Sequence, residues 1–263
     1  MTSKLPYRLG LVSVSFRSHT PREIVEAMKA VGLSSIEWGS DVHAPCTDIE
    51  KLRGIATLQK EYGIECSSYG TYFRLGETPI GELEHYIEAA RILETNILRL
   101  WCGRKKSTDM TEEERRAFVS DCEAAERIAK EHGVILCMEC HKKTFTESSA
   151  DAVWLMEQIS SPHFRMYWQP FQWQSAAENE ENAKRIAPYA EHIHVFNWKG
   201  EKKLPLGEAT EEWRAYLRHF SPPRALLLEF MPNGRLAELT AEAAALKQII
   251  ERSNSKNEGD LPL

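Results

Sequence analysis

The stretch NILRLWCGRKKSTDMTEEERRAFVSDCEAAERIAKEHGVILCMEC, residues 96–140, decides how this chain folds. It opens on NILRLW and closes on VILCMEC, short apolar runs that read as buried strands. Between them Thr111 and Glu114 form a capping-box pattern. A long helical segment follows and stops at His132 and Gly133. The unit is strand, helix, strand.

The same unit repeats on both sides. GLVSVSF at 10–16 reads as the first strand. Thr20 and Pro21 then open a helix that stops at Gly32. SSIEW ends strand two at residue 38, and Asp48 caps a helix that ends near Gly63. IECSSY is strand three, and GELEHYIEAARILE is the helix before NILRLW. After VILCMEC come a helix over 148–159, strand FRMYW and a helix to about 187. HIHVF with a helix over 210–219, and ALLLEF with a helix over 235–252, complete the series. Eight strand–helix units without a linker predict one (β/α)8 TIM barrel over 1–252, an α/β fold, with a flexible tail at 253–263. An open doubly wound sheet is the competing arrangement. It calls for a glycine-rich phosphate turn after the first strand, where this chain has FRSHT.

Composition agrees with a soluble enzyme-sized domain. Of 263 residues 42% are apolar and 27% charged, with a net charge of −6. That balance argues against a general grip on nucleic acid. No apolar run is long enough for a membrane span, and none at the start suits a secretory signal. The six cysteines are scattered through a chain large enough to fold without bridges, so they read as reduced thiols of a cytoplasmic protein.

In a barrel of this kind, chemistry sits at the C-terminal ends of the strands. Glu37, Arg99, Glu139, Gln169, His194 and Glu229 fall there. Strand alternation turns Glu229 into the barrel mouth and Leu228 and Phe230 toward the helices. It also puts Cys137, Glu139 and His141 on one face and Met138 and Cys140 on the other. The thiols of Cys137 and Cys140 therefore cannot chelate together. His192 and His194 share a face. Glu139, Gln169, His194 and Glu229 end four successive strands and are expected to surround one point. Such donors suit a divalent ion such as Mn²⁺ or Mg²⁺, and two carboxylates there could move protons on a substrate. A buried hydrogen-bond network closing the barrel is the structural alternative. Trp38 and Trp168 read as core, whereas Trp173 and Trp198 are candidates for a wall that stacks on a sugar.

These residues carry a family likeness. IEWGSDVHAP at 36–45, YGTYFRLG at 69–76, LRLWCG at 98–103, ECHKKTFTES at 139–148, YWQP at 167–170, HIHVFNW at 192–198 and LLEF at 227–230 resemble the xylose-isomerase-like barrels of the sugar (phosphate) isomerase/epimerase superfamily. The likeness spans about residues 8–252. That superfamily also holds the apurinic-site endonucleases. The resemblance implies one divalent metal, Mn²⁺ first and Mg²⁺, Co²⁺ or Zn²⁺ otherwise, on Glu139, Gln169, His194 and Glu229. It implies Glu139 and Glu229 as the acid/base pair working through an enediolate. Gln169 stands where the epimerases have Asp, and Gln172 where a substrate-contacting His is usual. His43, Arg99, Trp101, His141 and Lys199 are further candidates for holding sugar hydroxyls or a phosphate. The nuclease branch needs more His and Asp ligands than this chain offers.

The expected function is a metal-dependent isomerase or epimerase of a ketose or related sugar, phosphorylated or not. A keto-sugar or inosose dehydratase or lyase on the same site is the alternative, and so is a non-catalytic sugar-binding barrel. The expected partner is a small sugar, with no nucleic acid and no membrane. By analogy with relatives, a homodimer or homotetramer is expected.

Overall fold

The computed structural model describes residues 7–221 and 224–257. Eight parallel strands close into a barrel: β1 (Arg8–Val12), β2 (Ser35–Gly39), β3 (Glu65–Leu75), β4 (Ile97–Cys102), β5 (Ile135–Glu139), β6 (Phe164–Trp168), β7 (Ala190–Val195) and β10 (Ala225–Leu228). Each neighbours the next in sequence around the ring, and β10 returns to β1. Helices α1 (Pro21–Ala30), α2 (Ile49–Tyr62), α3 (Leu83–Ile92), α4 (Glu112–His132), α5 (Ser149–Ile159), α6 (Ala176–Ile186), α7 (Thr210–Leu217) and α8 (Leu239–Asn257) follow the strands. Two short antiparallel strands, β8 (Asn197–Lys199) and β9 (Lys202–Leu204), form a hairpin between β7 and α7.

Local chemistry explains the helix starts. Thr20 and Thr111 each make a full capping box, with Glu23 and Glu114 returning the bond. Asp48 accepts from the Lys51 amide, as its position predicts. Gly63 and Gly133 end α2 and α4 in the left-handed conformation that glycine adopts without strain.

The core has two layers. Between sheet and helices, Trp38 and Trp168 are buried, the latter against Trp213, Tyr216 and Phe220. Inside the barrel a smaller apolar plug contains Val12, Ile97, Cys137, Tyr167 and Leu227. Cys137 thus faces the interior, while Met138 and Cys140 join the outer core. All six cysteines are free thiols. No helix among the described residues is long and apolar enough to cross a membrane.

Four expectations need correction. Strand one begins at Arg8 and ends at Val12, because Ser13–Phe16 coil into a 3-10 turn. There the Ser13 hydroxyl accepts from the Gly39 amide at 2.9 Å. Strand three runs on to Leu75 through an irregularity between Gly70 and Arg74, which lets it pair again with β4. Phe230 does not keep strand parity: β10 ends at Leu228, and Phe230 takes φ 55°, turning inward. The tail expected from 253 is helical through Asn257, and residues 258–263 lie outside the described residues.

Candidate active site

The strand ends bring six polar side chains into one buried cluster. Register sets their height. Glu37 lies level with Ser68, Arg99 with Gly70, Glu139 with Tyr167, and His194 with Leu227. Glu229 directly follows β10, with its amide bonded to the Val195 carbonyl. The side chains of Glu37, Arg99, Glu139, His194 and Glu229 are all buried.

Arg99 is the cationic hub. Its Nε donates to Glu37 Oε1 at 3.2 Å and its Nη1 to Glu139 Oε2 at 2.9 Å. Burial opposes its charge, but the three carboxylates around it hold its pKa above the ordinary arginine value. The Trp101 indole N–H also donates to Glu139 Oε2. Burial opposes ionisation of Glu139 too, yet Arg99, with His141, His194 and Trp101, keeps its pKa below the usual carboxylate value. Glu37 is held well below the usual carboxylate value, because Arg99 and His194 outweigh its burial.

Glu229 differs. Burial is the main force on it, and the negative Glu139 adds to that, so its pKa is pushed up to about 7. His194 is buried as well, but Glu229, Glu37 and Glu139 surround it and push its pKa up to about 9.

The four expected donors do converge. From His194 Nδ1, Gln169 Oε1 lies at 3.2 Å, Glu229 Oε2 at 3.6 Å and Glu139 Oε1 at 3.8 Å. Gln169 is oriented by its own amide, which donates to the Cys140 carbonyl at 2.8 Å. Among the described residues, no three His, Cys, Asp or Glu side chains alone form a metal-holding group. The Gln169 oxygen, nearest of the three to Nδ1, completes the set. Ligands about 2.1 Å from a cation stand roughly 3 to 3.5 Å apart. The donor set therefore fits a divalent ion in kind, and the Gln169 oxygen alone already stands from Nδ1 within that range. The amide brings one negative charge fewer than a carboxylate would.

Above the cluster opens a cavity of about 160 Å³. Glu139, Gln169 and Glu229 form its floor, and Trp101, Trp198 and Phe230 are among its aromatic walls. Trp101 tilts against His141 at 5.4 Å, and Trp198 meets Phe230 edge-on at 5.1 Å. Gln172 and Lys142 reach the rim, with Trp173, which is 66% exposed. Arg99, Trp101, His141 and Gln172 all line this space.

Two expected substrate contacts lie elsewhere. His43 is buried below the rim, with Nδ1 against Ser13 Oγ and Nε2 against the His19 carbonyl, both at 3.1 Å. Both ring nitrogens are engaged, so it is a core histidine. Lys199 sits on the hairpin, pairs with Glu212 at 2.6 Å and borders a separate neighbouring cavity.

Other contributors were not singled out from sequence. Ser68, Tyr167, Tyr72 and Arg17 belong to or border the site. Glu37 stands at a strand end in the sequence, but nothing there assigns it a role. Strand parity applied to Ser68 and Tyr167 would have turned both inward. The β8–β9 hairpin carried a readable signal: a two-residue turn, Gly200-Glu201, with Gly200 at φ 58°.

Comparison with known proteins agrees with this architecture. The chain is 22% identical over 220 residues to the 3-dehydroshikimate dehydratase of Bacillus anthracis, covering 79% of this chain and 78% of that one. The structure of an L-ribulose 3-epimerase superposes with a TM-score of 0.75 at 13% identity, over 96% of this chain and 97% of that one. The IolI protein, solved with a zinc atom, superposes with a TM-score of 0.69 at 14% identity, over 95% and 97%. At these identities the two structures establish the fold. The sequence pattern described as the xylose isomerase-like TIM barrel matches residues 25–255, and the chain belongs to that family.

Proposed function

We propose that this protein is a divalent-metal-dependent enzyme that moves a proton at the carbon beside the carbonyl of a polyhydroxylated ketone. One observation carries the reading: two buried carboxylates flank His194 in unequal states. Glu139 is held ionised by Arg99 and Trp101, whereas the Glu229 carboxyl accepts no hydrogen bond among the described residues and has its pKa pushed up to about 7 by burial. A pair split in this way supplies an acid and a base at one pH.

Glu139, Gln169, His194 and Glu229 would hold the ion, with Mn²⁺ the first candidate and Mg²⁺, Co²⁺ or Zn²⁺ the others. When bound, it supplies positive charge toward the oxygen that becomes negative as the proton leaves. Glu139, held ionised, takes that proton, and Glu229, with its pKa pushed up to about 7, gives one back; return to the opposite face epimerises the carbon. Arg99 keeps Glu139 anionic and fixed. The aromatic walls exclude water from the reacting carbon. His141 and Gln172 at the rim would orient the substrate's hydroxyls.

A ketose is isomerised or epimerised when the proton returns to carbon. Likeness to a dehydratase favours a second outcome on the same site. There the C–H bond next to the ketone breaks, the neighbouring C–O bond follows, and the hydroxyl leaves as water with a proton from the acid.

The test is a panel of ketoses and 3-dehydroshikimate incubated with Mn²⁺-loaded protein in D₂O. Deuterium beside the carbonyl supports isomerase or epimerase chemistry, and loss of water supports the dehydratase. Binding with neither change would make the barrel a sugar-binding module and overturn the enzyme reading.

A further inference from the structure

Glu37 ends β2 and is none of the four donors, yet it touches the one that is an imidazole. Its carboxylate is fully buried. Oε1 accepts from Arg99 Nε at 3.2 Å. Oε2 accepts from Ser68 Oγ at 2.9 Å and faces His194 Nε2 at 3.4 Å. The Ser68 hydroxyl also meets the Tyr167 hydroxyl at 2.7 Å, so β3 and β6 both brace this carboxylate. Gly70 provides the room: a Cβ there would lie 2.5 Å from Glu37 Oε1 and 2.9 Å from Arg99 Nη2.

An ionised carboxylate only accepts hydrogen bonds. The nitrogen that faces it must carry the proton, and in a neutral imidazole the other nitrogen then carries the lone pair. Nδ1 also faces oxygen acceptors, those of Gln169, Glu229 and Glu139, and without a cation it donates toward them. A cation among those oxygens would displace the Nδ1 proton, and Glu37 would then hold the remaining proton on Nε2 and leave the lone pair on Nδ1.

We infer that Glu37 is a positioning residue, which fixes the tautomer and orientation of His194 so that Nδ1 is presented to a divalent cation. The inference rests on the metal-dependent reading above. A carboxylate behind a ligating histidine commonly contributes about 10- to 100-fold in metal affinity. The competing role is narrower: Glu37 could serve only as counter-ion to Arg99.

The experiment is Mn²⁺ titration of the metal-stripped protein, read by the electron spin resonance of free Mn²⁺. Alongside it, the imidazole ¹⁵N spectrum of the Zn²⁺-loaded protein is recorded. Glu37→Gln should weaken Mn²⁺ binding by about 10- to 100-fold and change the His194 Nε2–H signal. Unchanged affinity and an unchanged signal would overturn the inference. Glu37→Gln/Arg99→Met restores the charge balance. Because Arg99 also holds Glu139, the reference is Arg99→Met alone: if the double variant binds like Arg99→Met, Glu37 is only a counter-ion and the inference falls; binding about 10- to 100-fold weaker than Arg99→Met supports it. Should Glu37→Gln fail to fold, Glu37→Asp carries the test, since it keeps the charge but draws it back from Nε2. Weaker binding supports the inference, and wild-type affinity overturns it. A wild-type protein that binds no divalent cation would overturn the metal reading itself, an outcome visible before any variant is made.

Discussion

His192 and His194 lie two residues apart on the same inward face of β7 and are equally buried, yet only His192 takes the neutral state that burial favours. His192 sits at the level of the apolar plug, and none of its hydrogen bonds goes to a carboxylate. Burial lowers its pKa to about 4, with help from Arg8, so it is neutral. His194 is as deeply buried, but three carboxylates face it and raise its pKa to about 9. One step of strand alternation, roughly 7 Å, separates a packing position from a chemical one. The lower barrel holds the strands together; the upper barrel collects charge that burial alone would not tolerate.

Breaking the charged half should show first in its two carboxylates. Glu139→Gln and Glu229→Gln should each cost on the order of 10²- to 10⁴-fold in turnover. Their effects on the stability of metal-free protein should have opposite signs. Glu229 has its pKa raised from 4.5 to about 7, so its contribution to folding is full below 4.5 and is lost as pH rises through 7. Glu229→Gln should therefore be more stable than wild type at pH 8, by about 2–3 kcal/mol, with little of that difference at pH 4. Glu139→Gln takes a charged partner from buried Arg99 and should destabilise by about 3 kcal/mol, the smaller end for a broken buried pair because Glu37 remains. Urea unfolding at the two pH values checks both. Shifts of the same sign would mean that the two carboxylates are not unequally charged.

The comparison also shows what the sequence made readable. The barrel was legible because each unit carries its own local signals: the capping boxes at Thr20 and Thr111, the Asp48 cap, and short apolar strands such as FRMYW, whose bounds match β6. Glu139, Gln169, His194 and Glu229 were legible because parity and strand order are properties of one strand at a time. Glu37, Ser68 and Tyr167 acquire meaning only through register, which pairs β2 with β3 and β5 with β6. Phe230 was misread because a residue with positive φ leaves the strand pattern that parity assumes. His43 looked available because nothing in IEWGSDVHAP announces that Ser13 and His19, far back in the chain, already occupy both its nitrogens.

The two histidines should separate again in the pH dependence of folding. For His192 the folded pKa lies below the ordinary histidine value of 6.5, so its stabilisation is full above 6.5 and is lost as pH falls toward 4. For His194 the folded pKa lies above it, so its stabilisation is full below 6.5 and is lost as pH rises through about 9. Wild type should lose about 3 kcal/mol between pH 7 and pH 4 that a His192→Gln variant does not lose. A His194→Gln variant should differ from metal-free wild type most at pH 6 and least at pH 10. Denaturant titrations across this range measure both. Parallel curves for the two variants would show that the halves of β7 are not electrostatically distinct.

The smallest expected effect sharpens where the site ends. Lys199 and Lys142 both stand near the mouth, but Lys199 is paired with Glu212 on the hairpin side, while Lys142 lines the main cavity. An exposed pair such as Lys199–Glu212 contributes roughly 0–1 kcal/mol to stability. Lys199 lines the neighbouring cavity and not the main one, so Lys199→Ala should leave kcat/KM within about twofold, a change of about 0.4 kcal/mol. For a substrate bearing a carboxylate or phosphate, Lys142→Ala should raise KM by several-fold with kcat little changed, because a charge at the rim binds ground state and transition state alike. Steady-state kinetics of the two variants on one anionic substrate decides. If Lys199→Ala raises KM and Lys142→Ala does not, the β8–β9 hairpin folds over the substrate, and the boundary between the two neighbouring cavities belongs on the far side of Lys199.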